Sequence, residues 1–143
     1  MIKSYQEGDL SAVMDIWLTA NLRSHNFISA EYWRGSFALV AELLPQAEVY
    51  LYARGGVTEG FIGLDGSHIE GLFVRPEAQS MGIGKVLLDH AKAQHRQLTL
   101  HVYEKNRRAV RFYLREGFSV LAQGVDAHTG EREYEMAWQR PAP

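Results

Sequence analysis

The segment Gln79-Ser80-Met81-Gly82-Ile83-Gly84-Lys85 sets two glycines between a stretch of strand character and one of helix character. Such a junction can bind an anion. The first N–H groups of a helix have no partner inside it, and the helix dipole adds partial positive charge at the same end. Glycine at 82 and 84 removes side-chain carbons that would hold a bulky pyrophosphate away from those donors. From Ala78 to Leu88 the only charged residue is Lys85, so nothing acidic opposes the anion. Two common nucleotide loops do not fit: a dinucleotide fingerprint needs a third glycine where Leu87 stands, and a Walker-type loop needs Ser or Thr where Val86 follows Lys85.

Other chemistry-bearing residues are scattered or ambiguous. Asn106 has the residue type of a helix N-cap. Tyr113 reads by spacing as an aromatic on an amphipathic helix, although a phenol with an ordinary pKa of about 10 is also a serviceable proton donor at neutral pH. His90 and His95 lie five apart in a helical stretch and so point about 140° apart, unable to share an ion. No His-x-x-x-His pair or carboxylate cluster suggests a metal, and none is expected. Arg108, Arg111 and Arg115, with Lys105 and Arg107 nearby, form a basic strip that reads first as a solvated face and second as a contact for a phosphate.

The elements that must position these residues follow from periodicity. Ile2 to Gln6 can form a short strand, and Asp9 can cap a helix from Leu10 to about Leu22 with Leu10, Val13, Met14, Trp17 and Leu18 inward. Ser29 can cap a second helix that Pro45 stops, with Trp33, Phe37, Val40, Ala41 and Leu44 inward. Between the helices, Arg23 to Ile28 is too aromatic for an idle loop. Strands are expected at 48–53, 57–64 and 68–74, the first two joined across Arg54-Gly55-Gly56. A helix from about Gly82 to Gln94 buries Val86, Leu87 and Ala91. A strand at 98–102, a helix from Asn106 to about Glu116 ended by Gly117, and two strands at 118–123 and 132–138 complete the chain. Mixed element order with a central strand-loop-helix predicts an α/β (α+β) layered fold.

Composition bounds the function. The 143 residues suit one domain spanning 1–143, with 46% hydrophobic and 22% charged residues, as in soluble proteins. Cysteine is absent, which removes disulfides, thiolate nucleophiles and Cys-ligated zinc. A net charge of -2 argues against nucleic acid as a partner. No apolar run is long enough for a membrane span, and the N-terminus has no signal-peptide pattern, so a cytoplasmic location is expected.

Gln79-x-x-Gly82-x-Gly84 and Asn106-x-x-Ala109-x-x-Phe112-Tyr113-x-x-x-Gly117-Phe118 together resemble the two signatures of the GCN5-related N-acetyltransferases (the GNAT family). The likeness in motifs covers residues 68 to 118, and the element order agrees over the whole chain. His25-x-Phe27-Ile28 and Tyr32-Trp33 are similar to small bacterial members of the YiaC/YjaB type. The resemblance implies a mixed, mostly antiparallel sheet of about seven strands with about four helices, splayed between strands 4 and 5. It implies acetyl-CoA as co-substrate, held by Leu72, Phe73 and Val74 along the fourth strand, by Gln79, Ser80, Met81, Gly82, Ile83, Gly84 and Lys85 at the pyrophosphate, and by Asn106 and Tyr113 near the acyl end. Tyr113 is then the expected acid for the departing thiolate, with a backbone N–H near Val74 polarising the carbonyl.

The acceptor half is less determined. By resemblance, His25, Asn26, Phe27, Trp33, His68 and Tyr103 border the acceptor pocket. Glu70 is the first candidate for the base, with His68, His25, a water chain or no dedicated base as alternatives. The acceptor is a primary amine on a small molecule or a protein, attacked in a ternary complex by a monomer or homodimer. The alternative is a coenzyme A-binding sensor without turnover. For a lysine-like amine, reaching the neutral form at pH 7 costs roughly 4 to 5 kcal/mol; for an α-amino group it costs about 1 to 1.5 kcal/mol.

Overall fold

A computed structural model describes residues 1–143. The chain runs β1 (Ile2–Ser4), α1 (Leu10–Ser24), α2 (Ala30–Leu43), β2 (Glu48–Arg54), β3 (Val57–Asp65), β4 (His68–Val74), α3 (Ile83–Gln94), β5 (Gln97–Tyr103), α4 (Arg107–Arg115), β6 (Ser119–Val125) and β7 (Arg132–Gln139), with single 3-10 turns before α1, after α2 and after β4. The seven strands form one mixed sheet in the order β1-β2-β3-β4-β5-β7-β6. Every pairing is antiparallel except β4 with β5.

Local chemistry explains most of the boundaries. Gly55 and Gly56, at φ 60° and 79°, make the two-residue turn between β2 and β3, where both central residues need the left-handed region. Ser29 Oγ accepts from Tyr32 N at the start of α2, and Asn106 Oδ1 accepts from Ala109 N at the start of α4. Gly117, at φ 94°, closes α4 as a left-handed cap. Asp9 departs from expectation. Its side chain does not cap α1 but reaches back to Gln6 N at 2.8 Å and to Lys3, closing the 3-10 turn ahead of the helix. Helix α1 also runs through Arg23 and Ser24, which the sequence placed in the following connection.

Two apolar clusters lie on opposite faces of the sheet. On one face α3 buries Ile83, Leu87, Leu88 and Ala91 against Ile62, Leu64, Ile69, Leu98, Leu100, Val102 and Met136. Val86, expected inward, is 42% exposed: the buried stripe of α3 follows 83-87-91 with Leu88 beside it, and Val86 falls outside that arc. On the other face α1 and α2 bury Val13, Met14, Ile16, Trp17, Trp33 and Leu44 against Val49, Leu51 and Phe61. Trp17 and Trp33 meet edge to face at 5.9 Å.

Strand β4 is irregular in two ways that matter below. Leu64 pairs with Ile69 while Gly63 pairs with Gly71, so Glu70 has no opposing residue and forms a β-bulge. Gly71 beside it leaves space that the Phe73 ring fills: a Cβ there would stand 2.4 Å from Phe73 Cε2. Parallel pairing with β5 stops after His68↔Thr99 and Ile69↔Leu100. Beyond Ile69 the β5-facing edge of β4 has no strand partner, which is the splay the resemblance implied.

Candidate active site

Two cavities flank that free edge. The larger, about 960 Å³, opens between β4, the N-terminus of α3 and helix α4; Leu72, Val74, Gly82, Gly84, Asn106 and Tyr113 are among its walls. The second, about 670 Å³, lies on the α1/α2 face and has Trp17, Phe61, Phe73 and Glu70 in its lining. Alternation along β4 explains the division, since Leu72 and Val74 project toward α3 while Phe73 packs on Phe61, ring centroids 5.3 Å apart. Each face of one strand therefore walls a different cavity.

The loop before α3 is shaped by its backbone. Ser80 has φ 68°, the only non-glycine residue at positive φ, and Gly82 has φ 82°. A left-handed residue next to a right-handed one, as Gly82 is to helical Ile83, turns successive N–H groups toward one side, the arrangement known as an anion nest. A serine in this region is strained by about 1–3 kcal/mol and persists only when its surroundings hold it. Arg108 does the holding, with one guanidinium nitrogen 2.7 Å from Gln79 Oε1 and the other 2.7 Å from Ser80 Oγ. The basic strip is thus not a plain solvated face.

Seven cations line this cleft: Arg23, Lys85, Lys105, Arg107, Arg108, Arg111 and Arg115. Three have carboxylate partners. Lys85 sits 2.9 Å from Glu116 and 3.2 Å from Asp89, Arg115 is 3.6 Å from Glu116, and Lys105 is 3.0 Å from Glu131. Burial pushes the Glu116 carboxyl up, but Lys85, Lys92 and Arg115 outweigh it and hold the group ionised below its usual range. Arg23, Arg107, Arg108 and Arg111 make no ion pair, so the positive charge at the mouth is available to an anion.

Tyr113 is 8% exposed, packed edge-on against Phe112 and Phe118 at 5.2 and 5.5 Å, and walls the cleft. Its hydroxyl has no hydrogen-bond partner within the protein, and burial pushes its pKa up. A phenol so placed stays protonated across the physiological range. Phe73 and Met81 supply no side chain to the cleft: Phe73 is on the opposite face, and Met81 is 50% exposed with its sulfur 3.8 Å from Arg54.

The residues expected around the acceptor separate into three places. His25, Phe27, Trp33 and Tyr103 form one aromatic cluster, with the His25 ring stacked on Trp33 at 5.6 Å and met edge-on by Phe27 at 5.8 Å and Tyr103 at 5.1 Å. Asn26 is exposed in the turn beside them. His68 lies elsewhere, bonded to Thr99 Oγ1 at 2.7 Å and 5.2 Å from the His101 ring, four residues or about 13 Å along β5 from Tyr103. Glu70 is in neither group; it borders the second cavity.

His25 is not free. Its Nδ1 is 2.7 Å from Asn21 Oδ1 and its Nε2 is 2.9 Å from Asn106 Nδ2. Burial lowers its pKa to about 4. A group whose folded value is depressed below its unfolded value of about 6.5 costs stability as pH falls between the two. Acidification from pH 7 to pH 5 is therefore expected to remove about 2 kcal/mol of folding stability through this residue. Urea titrations of the native chain and His25→Phe check this, because the variant loses that part of the pH dependence. Equal slopes for both would overturn the assignment.

Sequence reasoning missed Asn21, Arg23 and Ser24, and gave Arg108 no specific partner. Asn21 was legible as a polar residue four positions from Trp17 on the apolar face of α1. The bulge at Glu70 was legible as a glycine interrupting a strand. No group of three or more potential metal ligands occurs, and no helix is long and apolar enough to cross a membrane.

Comparison with known proteins defines the class to which this fold and cleft belong. Residues 16–138 match the model of the acetyltransferase (GNAT) domain. The chain is 33% identical over 140 residues, 96% of each protein, to the peptidyl-lysine N-acetyltransferase YiaC of Escherichia coli K12. The solution structure of apo YjaB from Escherichia coli superposes with a TM-score of 0.87 at 30% identity, covering 99% of this chain and 98% of that one. A PaiA N-acetyltransferase from Thermoplasma acidophilum, solved in complex with coenzyme A, shares the fold with a TM-score of 0.79 at 18% identity over 97% of this chain and 98% of the other. The class is an acetyltransferase. The chain belongs to the GCN5-related N-acetyltransferase family, as its two motifs and its sheet order indicate together.

Proposed function

We propose that this enzyme transfers an acetyl group from acetyl-coenzyme A to the side-chain amine of a protein lysine, by direct attack in a ternary complex. One observation carries the reading: the unpaired edge of β4 has a cation-lined cleft on one face and an apolar cavity bordered by Glu70 on the other. The nest at Gly82, the four cations without ion pairs and the open strand edge fit the pyrophosphate, the outer phosphate and the amide-bearing arm of coenzyme A respectively. When bound, that co-substrate supplies an activated thioester carbonyl. The names of YiaC and YjaB, both peptidyl-lysine N-acetyltransferases, support lysine as the acceptor.

The chain's own residues then divide the work. Backbone N–H groups on the free edge of β4 polarise the carbonyl oxygen. The amine nitrogen attacks the carbonyl carbon, and the carbon–sulfur bond breaks. The Tyr113 hydroxyl gives its proton to the departing sulfur, and the proton lost by the amine passes to Glu70 or to water in contact with it. Acid and base line different cavities, on opposite faces of β4. His25 is unsuited to be the base, since Asn106 occupies its only lone pair.

Arg108→Ala is expected to weaken coenzyme A binding about tenfold, because it releases two charge-assisted bonds to the phosphate loop. Arg115→Ala, whose side chain is 70% exposed and shared with Glu116, is expected to change it less than threefold. Calorimetric titration with coenzyme A measures both. The acceptor is tested by free-thiol release from acetyl-coenzyme A with lysine-containing peptides, N-terminally free peptides lacking lysine, and small alkylamines. Lysine-dependent release supports the reading. Release with small amines alone assigns a metabolite acceptor, and tight cofactor binding without any release assigns a sensor.

A further inference from the structure

The polar groups around His25 form one continuous chain across the interface between α1 and α4. Asn21, only 2% exposed and the one buried polar residue of the protein, donates from Nδ2 to Trp17 O at 2.9 Å. Its Oδ1 receives His25 Nδ1–H at 2.7 Å. Asn106 Nδ2 donates to His25 Nε2 at 2.9 Å, and Asn106 Oδ1 accepts Ala109 N–H at 3.3 Å, capping α4. The directions interlock. The cap fixes which end of the Asn106 amide faces His25, so Nε2 must accept and Nδ1 must carry the hydrogen. Each amide and ring nitrogen in the chain has a partner, and four rings enclose or contain it: His25 and Phe27 from the turn after α1, Trp33 from α2 and Tyr103 from β5.

Helix α4 needs such a tie. It has nine residues and packs principally on β5, next to the opening between β4 and β5. Asn106 and Tyr113 are seven residues apart, about two turns, so they lie on nearly the same side of the helix. A tilt at the cap therefore moves the Tyr113 hydroxyl within the cleft. We propose that Asn21, His25 and Asn106 form a strut that sets the placement of α4, and with it the Tyr113 hydroxyl, and that His25 serves the reaction as a positioning residue in its neutral Nδ1–H form. The inference rests on Tyr113 acting at the donor cleft, but the geometry of the strut does not.

The charged and titratable groups near His25 do not compete for it. Tyr103 donates its hydroxyl to Asp126, Lys105 lies over the Phe27 ring at 5.5 Å and pairs with Glu131, and Arg23 faces the cleft mouth. The low pKa of His25 arises from burial alone, in keeping with a ring that works uncharged.

Asn106→Asp separates a strut from a simple contact. Aspartate still caps Ala109 N–H but can only accept, so His25 Nε2 must acquire a proton to keep its partner. The expected result, read by NMR titration of the His25 ring without any ligand, is a rise of its pKa by at least two units. Turnover of the variant should then fall at least fivefold as pH rises through that new value, because the strut breaks when the ring loses its proton; the native enzyme should show no such limb. His25→Phe, which keeps ring packing and deletes both bonds, should lower kcat at least fivefold with coenzyme A affinity within threefold of native. An unmoved His25 pKa in Asn106→Asp overturns the strut itself. A raised pKa with a pH-independent loss of coenzyme A affinity overturns the positioning role and makes Asn106 a direct donor contact. Failure of lysine-dependent thiol release by the native enzyme would overturn the function while leaving the NMR result standing.

Discussion

Tyr113→Phe is expected to lower turnover at least tenfold while coenzyme A affinity stays within twofold of native. The phenol is buried, raised in pKa and unbonded within the protein, so deleting it removes a proton donor and little else. General acids contribute about 10²- to 10⁴-fold to such steps, and water entering the cleft can replace part of that. Phenylalanine retains the edge-on contacts with Phe112 and Phe118, which keeps packing out of the comparison. Steady-state kinetics beside calorimetry separates the two effects, and unchanged turnover would remove Tyr113 from the acid role.

Gly82→Asp should weaken coenzyme A binding at least a hundredfold. Nothing in the protein lies within 4 Å of a Cβ at this position, so the fold itself has room for a side chain. The loss comes from charge: a carboxylate beside the nest repels a pyrophosphate by about 1–4 kcal/mol, depending on local screening. Gly82→Asn carries nearly the same shape, tolerates the left-handed region and adds no charge, so it should lose far less affinity. If the aspartate variant still binds tightly, the pyrophosphate does not sit on this loop.

Much of the proposed donor half is legible along the chain, for a physical reason. A helix N-terminus, the glycines that open it and the strand before it are contiguous in sequence, so residues 72–85 describe their own geometry. Elements with strong periodicity and caps also declared themselves, as Ser29, Asn106 and Gly117 did. Where expectation failed, tertiary context decided: Val86 turned outward although it is apolar, and the Asp9 carboxylate found a nearer partner in the preceding turn.

Residues that meet through the fold carried no such signal. Arg108 bonds Gln79 and Ser80, 29 and 28 positions away, and His25 bonds Asn106 across 81 positions. His68 and His25 read alike as candidate bases. The structure gives one a threonine and a neighbouring histidine, and makes the other an acceptor with no lone pair to spare.

The sequence by itself determined the family and the order of elements, because both rest on local spacing, and it marked residues 79–85 as a candidate anion site. Only the tertiary structure decided that β4 walls two different cavities, that a bulge at Glu70 turns that carboxylate toward the second, and that His25 is held neutral between two asparagines. Those outcomes depend on which distant groups desolvate and bond one another, and that is settled when the chain packs.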